Sequence, residues 1–188
     1  MTPPILFIPG WASSGPGHWQ TLWEARLRGA RRVEMPDWFR PEPTAWVRAL
    51  DHAIAATPAP PVLVAHSLGC IAIAHWAATW RRPVAAALLV APADVEREAC
   101  PAALRAWAPI PAARLPFPTT LVAADDDPYV ALDRARGFAD AWGSRFELVE
   151  NGRHLNVASG HGEWPRGAAL LDDLLARHGV VAEDRAAG

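Results

Sequence analysis

Val62-Leu63-Val64-Ala65-His66-Ser67-Leu68-Gly69-Cys70-Ile71-Ala72-Ile73-Ala74-His75-Trp76-Ala77 is the stretch on which the fold turns. A short apolar run ends at Ala65, and a longer run of helical character begins just after Ser67. The serine between them has a very small residue two places away on either side, Ala65 and Gly69. That is the pattern of a nucleophile elbow, a strand-to-helix turn so sharp that larger side chains at those two positions would strike neighbouring backbone. Such a turn pushes the serine hydroxyl into the open. The alternative is a serine that caps the helix through its side chain.

Working outward, short apolar runs alternate with segments of helical period. Ile5-Leu6-Phe7-Ile8 reads as a buried strand ended by Pro9-Gly10. Trp19, Leu22, Trp23 and Leu27 follow at helical spacing, and Arg32-Val33-Glu34-Met35 reads as an edge strand. Trp46, Leu50 and Ile54 line a helix that starts near Thr44. The serine stretch supplies a strand over 62–65 and a helix over 68–80, and further strands are expected at 84–90, 119–123 and 145–149. Between the last two, Ala131, Ala135, Phe138, Ala139 and Trp142 mark another helix. Leu171, Leu174, Leu175 and His178 share one face of the last. The expectation is an α/β fold of about six mostly parallel strands with helices on both faces, joined by right-handed crossovers. Residues 1–178 would form a single domain and 179–188 a loose tail. The segment from Pro92 to Pro118, with further prolines at 101, 109, 111 and 116, reads as a folded flap over the strand ends.

A parallel sheet places chemistry at the carboxyl ends of its strands. After the third strand comes Ser67; after the fifth, Asp125-Asp126-Asp127-Pro128-Tyr129; after the sixth, Asn151-Gly152-Arg153-His154. A serine hydroxyl is a weak nucleophile at neutral pH and needs an imidazole to take its proton, with a carboxylate to orient that imidazole. Ser67 and His154 are the candidates for the first two roles. Asp127, placed against Pro128, is favoured over Asp126 for the third, and His161 is the second choice as base. His18, His52, His75 and His178 read as helical, and His66 as turned away from the site. The backbone N–H groups of Leu68 and Trp11 are candidate oxyanion donors, with Gly10 allowing close approach. Trp11, Trp164 and the flap are candidate walls of a small apolar acyl pocket.

Composition narrows the alternatives. The 188 residues are 51% hydrophobic and 20% charged, which suits one well-buried core rather than a disordered chain. A net charge of −2, with every basic residue an arginine, gives no case for nucleic acid or an anionic membrane as partner. Cys70 and Cys100 lack any metal-ligand or disulfide spacing, so no metal or other cofactor is expected. Neither a signal peptide nor a membrane span is legible, and the expected location is the cytoplasm.

Several strings together resemble the small serine hydrolases of the YdeN and retinoblastoma-binding protein 9 family, within the α/β-hydrolases. They are Ile5-Leu6-Phe7-Ile8-Pro9-Gly10-Trp11, Ser14-Gly15-Pro16-Gly17-His18-Trp19-Gln20, Val64-Ala65-His66-Ser67-Leu68-Gly69-Cys70, Leu115-Pro116-Phe117-Pro118, Asp126-Asp127-Pro128-Tyr129, His154-Leu155-Asn156 and Ser159-Gly160-His161-Gly162-Glu163-Trp164-Pro165. The resemblance implies a minimal α/β-hydrolase with no large lid domain, and Ser67, Asp127 and His154 as nucleophile, acid and base. One departure is Arg153, where the family usually has glycine before the histidine. The function expected is hydrolysis of small acyl esters through an acyl-enzyme. Amide or peptide hydrolysis would use the same residues, and a protein-interaction module that keeps only the fold is the competing class.

Overall fold

The computed structural model describes residues 3–179; most of the expected tail, 180–188, lies outside the described residues. Six parallel strands form one sheet in the order β2-β1-β3-β4-β5-β6. They are β1 Ile5–Ile8, β2 Ala30–Arg32, β3 Val62–His66, β4 Ala86–Val90, β5 Thr119–Ala124 and β6 Arg145–Val149. The helices are α1 Trp19–Arg26, α2 Pro43–Ala55, α3 Leu68–Thr79, α4 Leu132–Trp142 and α5 Pro165–Arg177. The flap between β4 and β5 contributes one 3-10 turn, Ala102–Trp107.

Alternation along the strands divides the core into two layers. Leu6, Ile8, Leu63, Ala65, Ala87, Leu89 and Leu121 face one side, where α2, α3 and α4 pack with Trp46, Leu50, Ile71, Trp76, Phe138 and Trp142. Ile5, Phe7, Val62, Val64, Leu88 and Val90 face the other, covered by Trp19 and Trp23 of α1 and Leu171, Leu174 and Leu175 of α5. Helix α3 is buried almost all round, from Leu68 to Ala77 with the exception of His75. Its near-continuous apolar sequence follows from its position between the sheet, α2 and the flap.

Two expectations shift. The edge strand lies at Ala30–Arg32, two residues before the expected Arg32–Met35. Gly29 turns the chain at φ 74 directly into the ladder, and the Glu24 carboxylate holds the Arg32 N–H at 2.8 Å, which fixes that early register. Val33 and Met35 spend their apolar surface in the core layer beyond it. The expected strand at 84–90 begins later, at Ala86. No helix among the described residues is long and apolar enough to cross a membrane.

The elbow makes a sharp packing demand. A methyl group on Gly69 would collide with the carbonyl oxygen of Ile8 and lie 2.9 Å from that of Pro9. Gly137, inside α4, has open space around it. Opposite outcomes are therefore expected in urea unfolding. Gly69→Ala should cost about 3 kcal/mol, at the upper end of overpacking effects. Gly137→Ala should add about 0.5–1 kcal/mol from helix propensity.

Candidate active site

Ser67 occupies the turn between β3 and α3 with φ 54 and ψ −120, a left-handed conformation that side chains rarely adopt. Its hydroxyl makes no capping hydrogen bond to α3, which disposes of the helix-cap alternative. The turn is held from both sides. The Ser67 N–H donates to the Val90 carbonyl at 2.9 Å, and its own carbonyl accepts from the Cys70 N–H at 3.0 Å. The loop after β1 presses directly on it, because a methyl group on Gly10 would stand 2.8 Å from the Ser67 Cβ. Cys70 just below is fully buried, and burial pushes its thiol far above the ordinary range, so it is a packing residue.

The loop after β5 meets the loop after β6 through three consecutive carboxylates. Asp125 Oδ1 accepts the Asn151 N–H at 2.7 Å and Asp126 Oδ1 accepts the Arg153 N–H at 2.6 Å. Asp127 instead takes the His154 side chain, whose Nδ1 lies 3.1 Å from Oδ1 and 2.9 Å from Oδ2. The Asp127 carboxylate is wholly buried and also accepts the Tyr129 N–H at 2.8 Å. Geometry thus separates Asp127 from Asp126, which spacing left open. With the Nδ1 proton directed at Asp127, a neutral His154 carries its lone pair on Nε2.

Ser67 and His154 line the same cavity of about 230 Å³, together with Gly10, Trp11, His18 and Tyr129. Trp11 is 41% exposed and fixed by an Nε1–H bond to the Phe39 carbonyl. Its backbone N–H has no acceptor among the turn and loop hydrogen bonds of the described residues. Leu68 is the first residue of α3, so its N–H lies among those with no intrahelical acceptor. Trp164 is a correction: it does not line the cavity, but is buried against Trp19 and Trp23 at the start of α5 with φ 43. His161 packs on Trp164 and is likewise away from the cavity lining.

Two histidines that the sequence reading kept out of the site, His18 as helical and His66 as turned away, line the cavity. His66 is buried, not turned away: its Nε2–H donates to the His154 carbonyl at 2.9 Å, and the two rings are 4.8 Å apart. Burial, reinforced by His154 and His18 nearby, holds His66 well below the ordinary histidine range. His18 is the N-cap of α1 and not a helical residue; its Nδ1 accepts the Gln20 N–H at 3.2 Å. Its Nε2 is buried without a partner. The available signal was position, since the loop from Pro9 to His18 leaves a strand end. Among the described residues no group of three His, Cys, Asp or Glu side chains could hold a metal ion.

A six-stranded parallel sheet with these loops at its carboxyl edge is an α/β-hydrolase fold, and solved structures agree. A YdeN-like hydrolase from Pectobacterium atrosepticum is 28% identical at a TM-score of 0.83, over 94% of this chain and 92% of that one. The ydeN gene product of B. subtilis is 20% identical at 0.75, over 93% and 100%. Alpha/beta hydrolase domain-containing protein 10 from mouse is 18% identical at 0.70, over 94% and 91%. At the lower two identities the likeness is one of fold. The serine hydrolase family matches residues 5–173, and the chain belongs to it. Among solved structures it is similar to small YdeN-like hydrolases. A comparison with curated proteins finds no significant match.

The buried histidines make the site sensitive to acid. Burial, then Arg32 and then His154, lower His18 from 6.5 to about 4. Between those values the unfolded chain binds more protons than the folded one, so stability rises with pH. The His18 contribution is complete above about pH 6.5 and is lost as the pH falls toward 4. Urea titrations at pH 7 and pH 4 should differ by about 3 kcal/mol from His18 alone, with His66 adding in the same direction. His18→Asn keeps an acceptor at the N-cap and should remove the His18 part of that slope.

Proposed function

We propose that the protein hydrolyses small acyl esters through a covalent acyl-enzyme on Ser67. The observation that carries this reading is the hydrogen bond that His154 Nδ1–H donates to the buried Asp127 carboxylate, on the cavity that the strained Ser67 turn also lines. In the first half-reaction Ser67 Oγ attacks the ester carbonyl while His154 Nε2 takes its proton. The carbonyl oxygen becomes an oxyanion, held by the N–H groups of Trp11 and Leu68, the latter aided by the positive end of the α3 dipole. Collapse breaks the bond to the alcohol oxygen, and His154 returns the proton to that leaving group. Water then repeats the sequence on the acyl-serine, releasing the carboxylic acid and restoring the Ser67 hydroxyl.

Asp127 keeps the Nδ1 proton in place and stabilises the imidazolium that forms between the two proton transfers. The neutral state of His66 and His18 serves the same end, because neither adds a second positive charge beside His154. A short acyl group suits the small cavity, which is below the roughly 300 Å³ of ordinary drug-sized sites.

Fluorophosphonate labelling and turnover of a short nitrophenyl ester test the assignment. Ser67→Ala should abolish both while its circular dichroism and thermal midpoint stay native; unchanged turnover would sink the reading. Asp127→Asn should lower kcat by ~10⁴, since it stabilises the wrong tautomer. Asp126→Asn should cost less than about tenfold, because its amide oxygen can still accept the Arg153 N–H and only the charge assistance of a bond about 1 kcal/mol in net strength is lost.

A further inference from the structure

The flap completes the cavity over Ser67 with Ala93, Asp94, Val95, Arg97, Cys100 and Leu104. Two of these are charged, and their situations differ. Asp94 is already answered: Arg134 Nε lies 3.5 Å from its Oδ2, and its Oδ1 accepts the Glu96 N–H at 3.1 Å. Half-buried Arg97 has no carboxylate at ion-pair distance among the described residues. Its guanidinium lies over the Tyr129 ring, 5.4 Å from the centroid, and that ring meets the His154 imidazole at 4.5 Å. An uncompensated cation therefore stands one aromatic ring from the candidate base.

That placement has a chemical consequence. His154 must become an imidazolium when Ser67 attacks, and a nearby cation in a partly desolvated cavity opposes this. A substrate carboxylate on Arg97 removes the opposition and gains charge-assisted hydrogen bonds in the fork geometry that guanidinium offers. A neutral substrate gains neither. A second group on the cavity points to the same ligand chemistry: His18, 94% buried by its 6% exposure, has no acceptor for Nε2, the nitrogen that carries the proton when Nδ1 accepts from Gln20. The unsatisfied groups are donors, and the nearby carboxylates, Asp94 and Asp127, are both engaged.

We propose, on the basis of the ester-hydrolase reading above, that the substrates are short acyl esters bearing a carboxylate, which Arg97 binds on the flap side of the cavity. Arg105, the other flap arginine close to Cys100, is exposed, donates to the Cys100 carbonyl at 3.4 Å and does not line the cavity. The small volume limits the acyl chain to about the size of a short dicarboxylic half-ester.

The test compares nitrophenyl hemiesters of succinate, glutarate and adipate with their neutral methyl-capped counterparts, by kcat/KM. At least one hemiester should exceed its neutral counterpart by about 10- to 100-fold, the range of a hydrogen bond to a charged group. Arg97→Met should bring that ratio to about one, and Arg97→Lys should keep part of it. A ratio near one in the unaltered protein, or a preference that survives Arg97→Met, would overturn the assignment and leave Arg97 as a solvated rim residue only. Hydrolysis that persists in Ser67→Ala would instead condemn the ester-hydrolase reading. Should no ester turn over, calorimetric binding of glutarate decides the matter: a loss of about tenfold or more in Arg97→Met supports the carboxylate site, and equal binding refutes it.

Discussion

Backbone pressed against backbone at the carboxyl ends of β1 and β3 is the constraint on which the rest depends. Gly69 leaves no room between α3 and the carbonyls of Ile8 and Pro9, and Gly10 leaves none between the β1 loop and Ser67. Ser67 is thereby held at φ 54, a conformation that costs on the order of 1–3 kcal/mol and persists only when its surroundings over-determine it. They do: β3 is paired on both sides, α3 is buried almost all round, and the Ser67 N–H is tied to β4. The same contact governs two backbone N–H groups. Trp11 follows Gly10 and Leu68 follows Ser67, so the collision that forces the turn also brings the two N–H groups to one end of the sheet.

A second, looser arrangement supplies the other half of the site. The β6 loop carries three non-glycine residues in the left-handed region, Asn151, Arg153 and Leu155, at φ 53, 48 and 48. Asn151 visits that region readily, but nothing in the local preferences of Arg153 and Leu155 favours it. The acidic run after β5 compensates, since Asp125 and Asp126 each accept one of the loop N–H groups and Asp127 takes the histidine itself. The Arg153 backbone adopts a conformation that glycine would reach without strain. Its N–H bond to Asp126 holds it there. The imidazole is thus positioned by hydrogen bonds between loops, whereas the serine is positioned by steric exclusion within the sheet.

That difference explains what could be read from the sequence. Strands β1, β3, β5 and β6 were legible because their apolar runs are short and end in turn residues. Ser67 was legible because steric exclusion leaves a mark in composition, the small residues on either side of it. The edge strand was misplaced by two residues because the Val33 and Met35 alternation serves core packing beyond the ladder. Trp164 and His18 exchanged places in the reading for a related reason. A tryptophan after a strand-end motif resembles a pocket wall, and a histidine before a helix resembles helix surface. Each is settled by a tertiary contact: the cluster with Trp19 and Trp23 for Trp164, the approach of His66 for His18. Arg97 left no sequence signal at all, because its lack of a counter-charge depends on how the flap folds.

The row of rings from His18 through His66 to His154 ties the two halves together. Adjacent centroids are 4.9 and 4.8 Å apart, and the middle ring holds the backbone carbonyl of the last. Only one positive charge can be accommodated in such a row, and burial denies it to the first two members. In the proposed mechanism the proton that Ser67 gives up goes to His154, where Asp127 balances it. Acid reverses this economy. As His66 and His18 are driven toward protonation, their charges repel each other within this buried row.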